Sequence, residues 1–345
     1  MSAAEGPVPQ DPSLPQNVFL RGLQHDTSGH LEHARDLYNR AISAAGGQFG
    51  PATAFLSATF DNVLANGNIR TKLCKHGYFT YFLNDFIGQS LHLYGEWCDD
   101  ELHVMKQLVP QGSVVVDIGA NIGVFTVPLA RHIGPHGRLY AFEPQRIIFQ
   151  LMCSNVAANG IHNVMAVQGA ASNQAGKRLF LAPLSYTGHF ESNFGAVSLT
   201  TSPGSHESEP ISASTIDSLD LPSAGLIKVD VEGMELDVLQ GARDTMHSKR
   251  PMLYVENNSE DGNQSLIELV KEHNYDLYWH ITPYYNPANH FKCAYNHYAR
   301  FMPSINMVCI PREKGARLSS GFEPAAKGDN WRTALERMAR RSTVS

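Results

Sequence analysis

Asp117, Gly119, Asn121 and Gly123 stand in the run Val114-Val-Val-Asp-Ile-Gly-Ala-Asn-Ile-Gly123, and Glu143 follows twenty residues later at the end of Leu139-Tyr-Ala-Phe-Glu. An acid ending a β-branched run, two glycines four apart and a second acid ending the next apolar run describe a site for a nucleoside-bearing cofactor. Gly119 and Gly123 carry no Cβ, so the turn and the following helix can approach a ligand closely. Glu143 would accept the hydroxyls of a ribose. The spacing is Asp-x-Gly-x-x-x-Gly, not the Gly-x-Gly-x-x-Gly of dinucleotide binders, whose packed amides hold a pyrophosphate. A cofactor with an amino-acid tail in place of phosphate suits a carboxylate such as Asp117, which would take its ammonium group.

The second chemical centre is Lys228-Val-Asp-Val-Glu-Gly233. Strand alternation puts Lys228 and Asp230 on one side and Val229 on the other. Asp230 and Glu232 then stand at the carboxyl end of a strand, where open α/β sheets bind ligands. Either could orient a cofactor or accept a proton from a hydroxyl; Glu232 could equally cap the helix expected near Met234. Asp230 with Glu256 and Asn257, at the ends of neighbouring strands, could hold Mg²⁺. The assignment adopted here has no metal ligand. Residues 281–303 hold Tyr284, Tyr285, His290 and Tyr295 among other aromatic and amide side chains. Such a loop suits a polyhydroxylated acceptor, or else covers core. His189, in a Gly-rich segment, is a further candidate proton acceptor.

These residues need a sheet to position them. Alternating apolar runs and helical patterns predict strands at 113–118, 138–143, 163–168, 226–230, 252–256, 275–280 and 305–310. Helices are expected at 122–133, 145–159, 234–246 and 263–273, giving a doubly wound α/β domain. A strand over 78–82 and a helix over 99–109 would precede it, and 176–213 reads as irregular with a hairpin. Residues 1–16 read as a disordered leader. Residues 17–75 read as a small helical extension, in which Gly22, Gly29, Leu31, Ala34, Tyr38 and Ala41 fall where a tetratricopeptide repeat places its small and bulky residues. The main domain spans 76–312, and 313–345 is a polar tail with one short helical pattern.

The chain has 345 residues, 43% of them hydrophobic, which is ample for a core. Its 27 basic against 33 acidic residues argue against a nucleic-acid binder held by a basic surface. No run reaches the ~20 apolar residues of a membrane span. Five scattered cysteines without a Cys-x-x-Cys read as reduced thiols in a cytoplasmic setting.

Several of these segments resemble the FkbM family of S-adenosylmethionine-dependent methyltransferases. They are Val116–Gly123 with Phe125-Thr126 and Leu129-Ala130; Ala141-Phe-Glu-Pro144 with Asn155 and Asn159; Ile216-Asp-Ser-Leu219; Ile227–Gly233 with Glu235; and Val238–Ala242. Arg250-Pro251, Glu256 and the upstream Gly95-Glu-Trp97 complete the set, over roughly residues 77 to 311. The resemblance implies a Rossmann-like class I methyltransferase, with a seven-stranded, mostly parallel sheet and helices on both faces. The cofactor would be S-adenosyl-L-methionine, held by Asp117, Gly119, Asn121, Gly123, Phe125, Glu143, Pro144, Ala170 and Asp230. Asp230, Glu232, Lys228 and His189 would line the reacting edge. The implied reaction is O-methylation of a small-molecule or glycan acceptor: a saccharide, glycoconjugate or natural product. The rival is a methyltransferase-fold module without catalysis that recruits a protein partner through its N-terminal helices.

Overall fold

The computed structural model describes residues 37, 40, 41, 68–184, 186, 193–258, 263–315, 318, 321–326 and 328–342. The leader and nearly all of the repeat-like hairpin lie outside this range. Only Leu37, Arg40 and Ala41 of that stretch are described, all helical. The chain divides into two compact units. The first holds residues up to Trp97 with Ser185–Phe194 and Pro287–Ala299; the second holds Cys98–Leu184, Gly195–Asn286 and Arg300–Ser345.

In the first unit, β1 (Ile69–Cys74) and β2 (Gly77–Phe82) pair as an antiparallel hairpin followed by helix α1 (Phe86–Tyr94). Asp85 caps α1, accepting from Ile87 N at 3.1 Å and Gly88 N at 3.2 Å, and its other oxygen takes Phe194 N at 2.9 Å. The inserted segment is held by aromatic hydroxyls. Tyr298 donates to Phe86 O at 2.6 Å, and Tyr94 donates to Tyr295 O at 3.0 Å while accepting from His297 N at 2.8 Å.

The second unit begins with α2 (Asp99–Leu108) and then alternates: β3 (Val114–Ile118), α3 (Thr126–Ile133), β4 (Arg138–Glu143), α4 (Arg146–Ala158) and β5 (Val164–Gln168). A small sheet follows, of β6 (Ala170–Ala171), β7 (Arg178–Leu181) and β8 (Glu209–Ser214), with β8 central. Then come β9 (Leu226–Val229), α5 (Glu235–Gln240), α6 (Arg243–Ser248), β10 (Met252–Glu256), α7 (Asn263–Glu272), β11 (Tyr275–Thr282), β12 (Ser304–Pro311), β13 (Glu323–Pro324) and α8 (Trp331–Ser342). The main sheet runs β13-β11-β12-β10-β9-β3-β4-β5. Its pairings from β10 through β5 are parallel, while β12 lies antiparallel between β10 and β11.

Four expectations change, besides that of a helical stretch over 17–75, whose end at Ile69–Cys74 is strand β1. The sheet has eight strands, not seven, because β13 of the tail pairs with the edge strand β11. That tail also packs. Trp331 and Ala334 of α8 are buried in the core, and Arg337 bridges Glu323 at 2.8 Å and Asp329 at 2.7 Å. The helix expected over 234–246 is two helices, because Asp217 caps a restart: its oxygens accept from Asp244 N at 3.1 Å and Thr245 N at 2.8 Å. Finally, α3 starts at Thr126 instead of 122, since residues 119–123 form a tight loop.

Register decides what each face of the sheet carries. On one face Val116, Ile227, Leu253, Cys309 and Leu277 lie in one row, and Ile118, Val229, Val255, Met307 and Trp279 in the next; all are in the main core. On the other face the same pairings align Asp117, Lys228 and Tyr254. One pleat nearer the carboxyl edge they align Glu256, Asn306 and His280. Paired residues share a face, so this polar band follows from strand pairing alone.

Candidate active site

The loop after β3 is closed on itself. Gly119 N and Ala120 N both donate to Phe142 O, at 3.0 and 2.9 Å; Gly123 N donates to Ala120 O at 2.9 Å. Asn121 N donates to Glu143 Oε2 at 3.0 Å, and Ile122 N to Asn121 Oδ1 at 2.7 Å. Each backbone N–H from 119 to 123 therefore has a partner within the protein. Such a loop offers no nest of amides to a pyrophosphate. Gly119 is required for contact as well as for conformation: its φ is +77°, and a Cβ there would stand 1.8 Å from Asp230 O.

Glu143, expected to face ribose, is almost fully buried and already braces the loop. Its Oε2 takes Asn121 N and its Oε1 takes Gln145 N at 2.9 Å, at the start of α4. Burial raises its carboxyl to about 7 against the pull of those two N–H groups. Each oxygen keeps a second lone pair for a ligand hydroxyl. Pro144 is half-buried beside it, Phe125 is buried, and Ala170 is buried in β6.

Asp117 has a different immediate partner from the cofactor ammonium expected of it. It is fully buried, accepts from Thr126 Oγ1 at 2.7 Å, and pairs with Lys228 Nζ at 3.4 Å. Lys228 also reaches Asp230 Oδ2 at 3.3 Å, donates to Gly119 O at 3.2 Å, and lies 5.4 Å from the Phe125 ring centroid. Burial opposes its charge, but Asp230 and Asp117 together outweigh that and hold its pKa above the usual lysine value. Lys228 is thus a fixed cation that ties strand β9 to the 119–123 loop.

Asp230 follows β9 at the carboxyl edge with its side chain 40% exposed. Glu232 sits in the next turn at φ +52°, and burial, with Asp230 and Glu235 adding, raises its carboxyl to about 7. No side chain caps α5 at Met234; Glu235 braces the turn before it instead, its Oε1 accepting from Gly233 N at 3.0 Å and Val231 N at 3.3 Å. The Glu232 carboxyl is accordingly not the cap read from the sequence. One carboxylate oxygen each from Asp230, Glu232 and Glu256 lie within 4.8 Å of one another. Asn257 is turned elsewhere, donating its amide to Met307 Sδ at 3.1 Å.

Glu101 was not singled out from the sequence. It lies on α2, is buried, and accepts from Thr282 Oγ1 at 3.3 Å and from the Ser304 hydroxyl. Tyr254, whose hydroxyl meets His280 Nδ1 at 2.9 Å, also bonds Glu101. Burial raises the Glu101 carboxyl to about 7, and Asp230 adds to the rise. The available signal was an acid on the apolar stripe of α2 with Leu102 and Met105. A raised carboxyl stabilises the fold fully below its unfolded value near 4.5, and that contribution is lost as pH climbs through about 7. Glu101→Gln stays neutral, so its melting temperature should gain on the wild type by a few degrees between pH 5 and pH 8. Melting curves of both proteins across that range check this; a constant difference would refute it.

Of the acceptor residues, Tyr284 and Tyr285 belong to the second unit and are half-buried. Burial raises the Tyr284 phenol, and Cys98, Glu101, Glu256 and Asp230 add to it, so its ring stands at this acidic edge. His290 and Tyr295 belong to the first unit, where His290 N donates to Glu96 Oε2 at 3.0 Å. The structure does not gather the four into one unit. His189 lies outside the described residues.

A parallel sheet with an antiparallel strand inserted before its last partner, and acids at or beside the carboxyl ends of β3, β4, β9 and β10, is the Rossmann-like arrangement of class I methyltransferases. Residues 117–277 match the family described as the Methyltransferase FkbM domain. The chain is 29% identical over 154 residues to the methyltransferase sdnD of Sordaria araneosa, covering 44% of this chain and 56% of that protein. It is 27% identical over 192 residues to the hexuronic acid methyltransferase AglP of Haloferax volcanii, covering 54% and 74%. The chain thus spans little more than half the length of the Sordaria protein. A methyltransferase FkbM structure from Methylobacillus flagellatus aligns at 14% identity over 84% of this chain and 58% of that one, with a TM-score of 0.37. No helix among the described residues is long and apolar enough to cross a membrane.

Proposed function

We propose that the chain transfers a methyl group from S-adenosylmethionine to a hydroxyl on a saccharide, glycoconjugate or natural-product acceptor. The observation that carries the reading is the 119–123 loop, whose amides are all engaged within the protein while Glu143 stands at its rim. That combination suits a ribose without a pyrophosphate and disfavours a nicotinamide dinucleotide. The similarity to a hexuronic acid methyltransferase supports a saccharide acceptor.

When bound, the cofactor supplies an electrophilic methyl group on a sulfonium. The chain's own residues then have three tasks. Glu143 orients the ribose and fixes the loop. Lys228 pairs with Asp230 and aims it along the carboxyl edge, which makes the lysine a positioning residue, not a base. Glu232, at about 7, is matched to accept the proton that the acceptor hydroxyl releases as its oxygen attacks in line. Tyr284 borders the same edge and would meet the acceptor.

Calorimetric titration of the purified protein tests the first step. S-adenosylmethionine should bind and NAD should not, and Glu143→Ala should weaken the former at least ~10-fold. Absence of binding by the wild type would sink the enzymatic reading and bring forward a non-catalytic module that recruits a partner.

A further inference from the structure

The carboxyl edge carries more negative charge than methyl transfer by Asp230 and Glu232 requires. Glu256, at the end of β10, brings a third carboxylate oxygen within 4.8 Å of theirs. One Glu256 oxygen, Oε1, accepts from Asn258 Nδ2 at 2.9 Å. The other, Oε2, is withdrawn from solvent and has no hydrogen-bond partner among the described residues. A buried carboxylate oxygen without a protein donor is costly, and the cost grows with two acidic groups beside it. Lys228 offsets only part of it, because it is already paired with Asp117 and Asp230. Burial, then Asp230 and Glu232, push the Glu256 carboxyl well above its usual range.

We infer that Asp230, Glu232 and Glu256 together form a binding site for one divalent cation. The donor set is carboxylate oxygen alone, which selects hard ions such as Mg²⁺, Mn²⁺ or Ca²⁺ over zinc or copper. The spacing agrees: with metal–oxygen bonds of about 2.0–2.6 Å, oxygens on one ion stand at most about 4–5 Å apart. The remaining positions open toward solvent, since the Asp230 side chain is 40% exposed. The ligands differ from the Asp230, Glu256 and Asn257 weighed from the sequence, because the Asn257 amide turns to Met307 and Glu232 takes its place. On the methyl-transfer reading, which this role but not the binding itself rests on, an ion here would hold the acceptor oxygen beside Glu232 and favour loss of its proton.

The test is Mn²⁺ alone, titrated into the full chain by calorimetry, with its electron paramagnetic resonance signal followed in parallel. One equivalent should bind with Kd below about 1 mM, and Mg²⁺ should compete. Glu256→Gln and Glu232→Gln should each weaken binding at least ~10-fold. Glu232 lies in a loop outside the sheet, so its variant remains informative if Glu256→Gln fails to fold. No saturable binding, or the same affinity in Glu232→Gln as in the wild type, would overturn the site. S-adenosylmethionine titrated into the same preparations separates the two readings. Mn²⁺ binding without cofactor binding keeps the ion site and removes methyl transfer; cofactor binding without Mn²⁺ does the reverse.

Discussion

Gly119→Ala is expected to cost about 3–5 kcal/mol of folding stability, the sum of a left-handed backbone for a residue with a Cβ and a contact that cannot be accommodated. The new Cβ would stand 1.8 Å from Asp230 O, a main-chain atom at the end of β9 that cannot rotate away. Relief would need β3 and β9 to separate, and their pairing is continuous from Val115 to Ile118. Gly123→Ala is the built-in control. It shares the positive φ, at +86°, but the nearest atom to its Cβ would be Met152 Cγ at 3.3 Å, the middle of a flexible side chain, with Thr126 Cβ next at 3.7 Å. Its cost should stay near ~1–2 kcal/mol. Urea unfolding of the two variants checks the contrast. Equal effects would mean that the close approach to Asp230 contributes nothing.

Lys228→Met should cost about 3–5 kcal/mol, because it removes one partner of a buried pair and leaves the other charge in place. Asp117 is fully buried, and without Lys228 its remaining polar contact among the described residues is the Thr126 hydroxyl at 2.7 Å. Methionine keeps the bulk of the lysine stem, so the loss measures charge more than packing. Adding Asp117→Asn should recover most of it, since the orphaned charge then disappears while Thr126 keeps a partner. A double-mutant cycle by chemical denaturation gives the coupling. A Lys228→Met effect below ~1 kcal/mol would show that the pair is not holding the loop to the sheet.

The strands and the 119–123 loop were legible because their signals are local. Val114–Ile118, Arg138–Glu143 and Met252–Glu256 are short apolar runs bounded by acids and turns, and they form strands within a residue of their expected ends. Asp117, Gly119, Gly123 and Glu143 fall where a single strand-turn-helix unit puts them, so spacing alone located them. The alternation that separates Lys228 and Asp230 from Val229 is a property of any extended backbone.

Partners across the chain were not legible. The sequence marked Asp117 as a ligand for a cofactor ammonium, yet only the register of β3 against β9 sets Lys228 beside it. It offered Glu232 as a cap, yet α5 has no side-chain cap, and Glu235, three residues on, braces the turn at Gly233. Glu101 looked like an ordinary first-turn acid until the packing of α2 brought Thr282 and Ser304 to it, some 180 and 200 residues further along the chain. The tail read as polar with one short helical pattern and no strand, because β13 is two residues long and has no period; it became a strand only where β11 offered a free edge. What the sequence by itself determined is the order of elements and the residues at their ends, since these depend on neighbours a few positions away. Which carboxylate meets a lysine, a hydroxyl or another carboxylate was decided by the tertiary structure, because strand pairing between distant segments creates those contacts and the electrostatics that come with them.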